Sequence, residues 1–154
     1  MKTRESLSRK KLFGKRILSV DYGTKVTGLA ICQVDIDPFP QPLDRIIYKN
    51  DQQLSLDIQK FVENECADYL LLGVPHYTDG KTSKMTEKVL DFGQLLDSLN
   101  PDTPLLFQDE TLTTYAAKER MQGSPLYNFK VDPKKIDQVS AAIILEDFLS
   151  QLSS

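Results

Sequence analysis

The sequence predicts an α/β fold in which one mixed five-stranded sheet carries helices on both faces. Three observations lead there. Two apolar runs, Arg16 to Val20 (RILSV) and Gly28 to Val34 (GLAICQV), are separated only by the tight segment Asp21 to Thr27, so they pair as an antiparallel hairpin. The hydrophobic period then switches from strand-like to helical, with Leu54, Ile58, Phe61 and Val62 on one helix face. Finally, the apolar runs Tyr69 to Val74 and Pro104 to Gln108 are separated by a second helical stretch, which is the spacing of parallel crossovers.

Taken in order, residues 1–15 are expected to be a flexible basic N-terminal arm, and residues 16–152 a single domain. After the hairpin, Asp35 to Pro42 (DIDPFPQP) contains three prolines and reads as a loop, and Leu43 to Tyr48 adds a third strand. The first long helix runs from about Asp51 to Glu65. Tyr69 to Val74 is a fully apolar, central strand that Pro75 ends. The loop HYTDGKTS leads into a helix with the stripe Met85, Val89, Phe92, Leu96 and Leu99, closed by Asn100-Pro101. Pro104 to Gln108 is the fifth strand, after which Thr113 or Thr114 caps a short helix that Gly123 stops. Gly123 to Val131 is irregular. Asp132-Pro133 is a cap followed by proline at the first helical position, so the last helix runs from about Pro133 to Gln151, with Asp137 in its first turn and a half.

The 154 residues suffice for one domain with a sizeable core, and a hydrophobic content of 40% with 27% charged residues is that of an ordinary globular chain. No apolar run approaches the roughly 20 residues of a membrane span. Cys32 and Cys66 lack metal-ligand or disulfide-framework spacing and read as buried thiols. The basic leader has no apolar stretch of a signal peptide, which makes the cytoplasm the expected compartment. Charge is uneven: residues 1–16 hold seven Lys/Arg against Glu5 alone, so the rest is about nine units negative. A basic arm on an acidic body suits contact with a polyanion, and equally a solvated leader.

Candidate chemistry lies in carboxylates placed where elements end or begin: Asp21 in VDYGTK, the pair Asp109-Glu110 in FQDETLTT, and Asp137 in KKIDQVSAA. In a sheet of this kind strand ends and a neighbouring helix start converge, so these acids can share one cleft, and a carboxylate cleft without a dedicated cation is a candidate Mg²⁺ site. Gly23 lets a phosphate or metal approach the backbone, and the Thr24 hydroxyl can donate to an anionic oxygen. Thr113 and Thr114 stand at a helix start, where backbone N–H groups hold phosphate. Each segment alone also has a plain reading, as an Asp-Gly turn, acids favouring a helix dipole, or a surface acid near a helix start. The small residues Ser140, Ala141 and Ala142 would let the last helix lie close to the sheet. His76, on the same predicted edge as Asp21, is a candidate proton shuttle or phosphate contact, or an uninvolved loop residue. Tyr22, Tyr77, Tyr115 and Tyr127 are weak candidates for base stacking.

Four stretches, DYGTKVTGLA, GVPHYTDG, DETLTTYAA and DQVSAAIILEDFL, together resemble the YqgF/RuvX family of pre-16S rRNA nucleases, also described as Holliday-junction-resolvase-like, within the RNase H-like superfamily. The resemblance runs from about Arg16 to Leu149. It implies an RNase H-like fold and hydrolysis of phosphodiester bonds with Mg²⁺ or Mn²⁺. By that analogy Asp21, Glu110 and Asp137 are catalytic, and Asp21, Asp109, Glu110 and Asp137 supply the metal-binding carboxylates, with Glu110 favoured over Asp109. Gly23, Thr24, Lys25, His76, Lys81, Lys84, Thr113 and Thr114 are the expected phosphate contacts. The implied substrate is structured RNA, the pre-16S rRNA first and branched DNA second, with ribosomal precursor particles as partners, no membrane, and a monomer or homodimer as the acting species.

Two departures bear on activity. Family members usually carry DYGTKRIG and DERLTT, whereas this chain has Val26 and Thr27 in the first stretch and Thr111 in the second. Two phosphate-gripping arginines are therefore absent. Lys25, the basic arm, Lys81 and Lys84 are the sequence's candidates to compensate. A noncatalytic nucleic-acid-binding protein of the same fold, or a Holliday junction resolvase, are the competing readings.

Overall fold

A computed structural model describes residues 7–75, 84–110 and 113–153, without the side chains of Thr113 and Thr114. Five strands, β1 (Arg16–Asp21), β2 (Val26–Gln33), β3 (Gln41–Ile47), β4 (Tyr69–Pro75) and β5 (Leu105–Glu110), form one sheet in the order β3-β2-β1-β4-β5. The first three pair antiparallel, while β4 and β5 run parallel to β1. This is the mixed five-stranded sheet expected from the hairpin and the crossovers.

Strand alternation sorts the apolar residues onto two faces. Leu18, Val20, Leu70, Leu72 and Leu105 meet Leu54, Ile58 and Val62 of α2 (Asp51–Asn64) and Val89, Phe92 and Leu96 of α3 (Lys84–Leu99). Ile17, Leu71 and Leu106 meet Ile144, Leu145 and Phe148 of α5 (Ile136–Ser150) on the other face. Burying each such side chain contributes about 1.5–3 kcal/mol before entropy is counted. α4 (Thr113–Gln122) does not rest on the sheet: its Ala117 and Met121 pack on Val139 and Ile143 of α5. Covered by the sheet on one side and α4 on the other, α5 is apolar nearly all round.

Small residues draw α5 onto the sheet, as the sequence suggested. Ala141 and Ala142 pack on Ala30 of β2, and the buried Ser19 hydroxyl of β1 donates to the Ala141 carbonyl at 2.8 Å.

The structure corrects several expectations. Residues 7–15 are folded: Ser8 caps the short helix α1 (Arg9–Leu12), and Leu7 and Leu12 are buried against Phe148 and Leu149. One turn of helix is too short to show a hydrophobic period. Residues 1–6 of the expected arm lie outside the described residues. β3 starts at Gln41 and includes Pro42, which an edge strand tolerates because one row of its N–H groups faces away from the sheet. Cys32 is buried but Cys66 is exposed, because it takes the left-handed position (φ 52°) just past α2. α5 begins at Ile136: the Asp132 carboxylate accepts from Lys134 N–H at 2.9 Å in a separate turn, which sets Asp137 in the first helical turn. No helix among the described residues is long and apolar enough to cross a membrane.

Candidate active site

Asp21 is the last residue of β1 and pairs with Gly28 of β2. Its neighbour Tyr22 fixes the strand end. The Tyr22 ring is buried, lies 4.8 Å from the Phe92 ring and meets Tyr48 edge-on, and its hydroxyl donates to Asp51 at 2.7 Å, as does that of Tyr48 at 2.8 Å. Burial and these hydrogen bonds push the Tyr22 phenol well above its ordinary range. Tyr22 is therefore an anchor, not a platform for bases.

Two glycines make room around Asp21. A side chain on Gly28 would collide with the backbone carbonyl of Asp137, so the absent Cβ lets the start of α5 rest directly on β2 beside Asp21. On the other flank, the parallel pairing of Val20 with Leu72, carried one residue on, sets Gly73 of β4 beside Asp21. The Ile144 side chain of α5 fills that gap, its Cδ1 2.5 Å from where a Gly73 Cβ would stand, and Glu110 lies at its edge with Cγ at 3.6 Å. Glu110 is buried and shares the α5 face with Asp21, whereas Asp109 is exposed and, by alternation, points to the opposite face. Asp21, Glu110 and Asp137 thus share one face, and Asp109 is not brought to them.

Asp137 is close enough for its charge to perturb Asp21. Burial, and then the charge of Asp137, push the Asp21 carboxyl up to about 7. Burial also raises Asp137, while the Arg45 guanidinium pulls the other way. A recess of hard carboxylate oxygens whose charges repel fits a hard divalent cation such as Mg²⁺ or Mn²⁺. Among the described residues no three His, Cys, Asp or Glu side chains are yet gathered closely enough to hold an ion. Asp21 and Asp137 are the assembled part of the site, with Glu110 on β5, beyond the intervening β4.

The expected phosphate contacts fare differently. Gly23 is sterically required, since a side chain there would meet the Val26 carbonyl, but its N–H donates to the Thr27 hydroxyl at 3.2 Å and closes the turn internally. Thr27, noted in the sequence only as a departure from the family pattern, also donates that hydroxyl to the Gly23 carbonyl. Thr24 and Lys25 are exposed in the turn that follows β1, and Lys84 is exposed at the start of α3. His76, Tyr77 and Lys81 lie outside the described residues, as do the side chains of Thr113 and Thr114. Tyr115 is exposed, while Tyr127 packs partly under α4. Gly28, Gly73 and Arg45 are the site residues the sequence reading missed. Glycine inside an apolar strand was the available signal for the first two.

A family model described as "RuvX: Holliday junction resolvase" matches residues 15–151. The chain is 33% identical over 138 residues to a "Putative pre-16S rRNA nuclease" of Maridesulfovibrio salexigens, covering 88% of this chain and 98% of that one. A protein of the same name from Aeromonas salmonicida is 34% identical over 138 residues, covering 89% and 96%. Among solved structures, Thermus thermophilus RuvC in complex with a Holliday junction superposes with a TM-score of 0.58 at 10% identity, covering 89% of this chain and 95% of that one. The yeast mitochondrial Holliday junction resolvase Ydc2 gives 0.53 at 14% identity, covering 95% and 80%. These two likenesses show the fold, which is RNase H-like. With a family model spanning nearly the whole domain and relatives matched almost end to end, this chain belongs to the RuvX family.

Proposed function

We propose that this chain is a Mg²⁺- or Mn²⁺-dependent endonuclease that hydrolyses phosphodiester bonds in structured RNA, with the pre-16S rRNA as its substrate during ribosome biogenesis in the cytoplasm. The observation that carries the proposal is the convergence of Asp21 and Asp137 across Gly28, with Glu110 buried on the same face beside Gly73. The names of the relatives support the choice of substrate.

Asp21, Asp137 and Glu110 would hold the cation. When bound, the ion supplies charge neutralisation at the phosphate and activation of a water. The residues' own contribution is position and charge. Tyr22 and the Ser19 link to Ala141 hold Asp21 and α5 rigid, so the two carboxylates need little reorganisation to receive a cation. Asp21, held near 7, takes up or releases a proton close to neutrality, so it presents a full negative charge only when the pH or a cation favours it. No histidine or lysine nucleophile is required by such a site.

The test is cleavage of a labelled pre-16S rRNA fragment in Mg²⁺, in Mn²⁺ and in chelator, with a four-way DNA junction alongside. Metal-dependent cutting of the RNA is expected, abolished in Asp21→Asn and in Glu110→Gln and retained in Asp109→Asn. Cutting of the junction alone would transfer the reading to a resolvase. RNA binding without cutting in any metal would leave a noncatalytic binding protein.

A further inference from the structure

Four arginines fall within the described residues, and three are tied to carboxylates. Arg9 meets Asp35 at 2.8 Å, Arg16 meets Glu65 at 3.0 Å, and Arg120 meets Glu146 through two hydrogen bonds of 3.1 and 2.6 Å. Arg45 differs: among the described residues its guanidinium enters no hydrogen bond or close salt bridge, and only its backbone N–H is used, donating to Asp44.

Its place in the sheet is specific. Arg45 pairs with Gly28, and Gly28 pairs with Asp21, so the three residues form one row across β3, β2 and β1 on the α5 face. Adjacent strands lie about 4.8 Å apart, which sets the Arg45 and Asp21 backbones about 10 Å from each other. The residue between them has no side chain, and the Asp137 backbone rests on it. Arg45 is half-buried, so its stem lies along the protein while its charge is near enough to Asp137 to act on that carboxyl. A planar fork of N–H donors at the rim of a carboxylate site, not consumed by a carboxylate, matches the two non-bridging oxygens of a phosphate.

We infer that Arg45 is a substrate-gripping residue of this site, binding a backbone phosphate of the nucleic acid next to the one held at Asp21 and Asp137. This rests on the proposed nuclease reading. It also supplies, from β3, a guanidinium near Val26, where the resembling family carries arginine. Val26 lies two residues from Gly28 on β2 and therefore on the same face.

The experiment measures affinity, so that it reads Arg45 whether or not the protein cuts. Binding of the pre-16S rRNA fragment to Asp21→Asn is titrated at several salt concentrations in Mg²⁺, with and without Arg45→Ala, Arg45→Lys and Arg45→Ala/Val26→Arg. The expected result is about a tenfold rise in Kd for Arg45→Ala, and a salt slope shallower by roughly 0.7–0.9, the value of one phosphate contact. Arg45→Lys should keep the slope but recover only part of the affinity, and Val26→Arg should restore the slope. Unchanged affinity and slope in Arg45→Ala, with its Tm matching the parent, would overturn the inference. So would a lowered Tm with an unchanged slope, the signature of a residue that only offsets the charge of Asp137. If the wild type binds with these signatures and never cuts, the nuclease reading fails and Arg45 stands as a binding residue.

Discussion

Where β1 begins, charge is matched: Arg16 donates its Nε to the Glu65 carbonyl at 2.6 Å and pairs with the Glu65 carboxylate, its backbone N–H meets Asp68 at 2.9 Å, and Arg9 nearby holds Asp35. Where the same strand stops, Asp21 faces Asp137, and among the described residues Arg45 is the cation that offsets Asp137. The ion pairs at the first end are half-exposed and each contributes no more than about 1 kcal/mol, enough to tie a strand to a helix. Carboxylates at the second end cost stability, because burial and mutual repulsion both disfavour their charged forms. Identical residue types thus serve cohesion at one end and, in the proposed function, would receive a cation and a phosphate at the other.

The largest expected effect comes from breaking the contact that creates the second end. Gly28→Val forces α5 off β2 and should cost about 3 kcal/mol or more, lowering Tm and abolishing cleavage together; a wild-type Tm would mean that Asp137 does not owe its position to Gly28. A smaller effect of opposite sign is expected from Asp21→Asn in metal-free protein. Because the folded-state pKa of Asp21 is raised from 3.8 to about 7, its penalty is absent below pH 4, builds up between about pH 4 and 7, and is fully present above 7. Denaturant melts at pH 8 should therefore find the variant more stable by on the order of 1–3 kcal/mol, with the difference vanishing near pH 4. Equal stability at both pH values would remove the charge argument. The smallest effect belongs to the matched end: Arg16→Ala should lose about 1 kcal/mol or less, reduced further by salt, with the cleavage rate unchanged. A large fall in rate would show that the two ends are coupled.

Much of this architecture is legible in the sequence, because hydrophobic period and punctuation are local signals. The hairpin, the helix at Leu54, the strand at Tyr69 and the α3 stripe all follow from spacing alone. The choice of Asp21, Glu110 and Asp137 is legible only in combination, since each has an ordinary reading by itself. What escaped depends on register between strands distant in sequence. Arg45 lies in LDRIIY, a plain edge-strand segment, and gains meaning only from its pairing with Gly28. The packing of Leu7 and Leu12 escaped for a related reason: their partners Phe148 and Leu149 lie at the far end of the chain.

The alternation that separates Glu110 from Asp109 carries one more consequence. Leu105, Leu106 and Phe107 are apolar and supported on both faces, so hydrophobicity hardly distinguishes the observed pairing of β5 with β4 from one slipped by a residue. A slipped strand would still fill the core, yet it would carry Asp109, a methylene shorter, to the α5 face and turn Glu110 out to solvent. Molecules misregistered in this way would melt almost like the others and cut nothing, so cleavage per folded molecule is a direct gauge of how faithfully β5 finds its place.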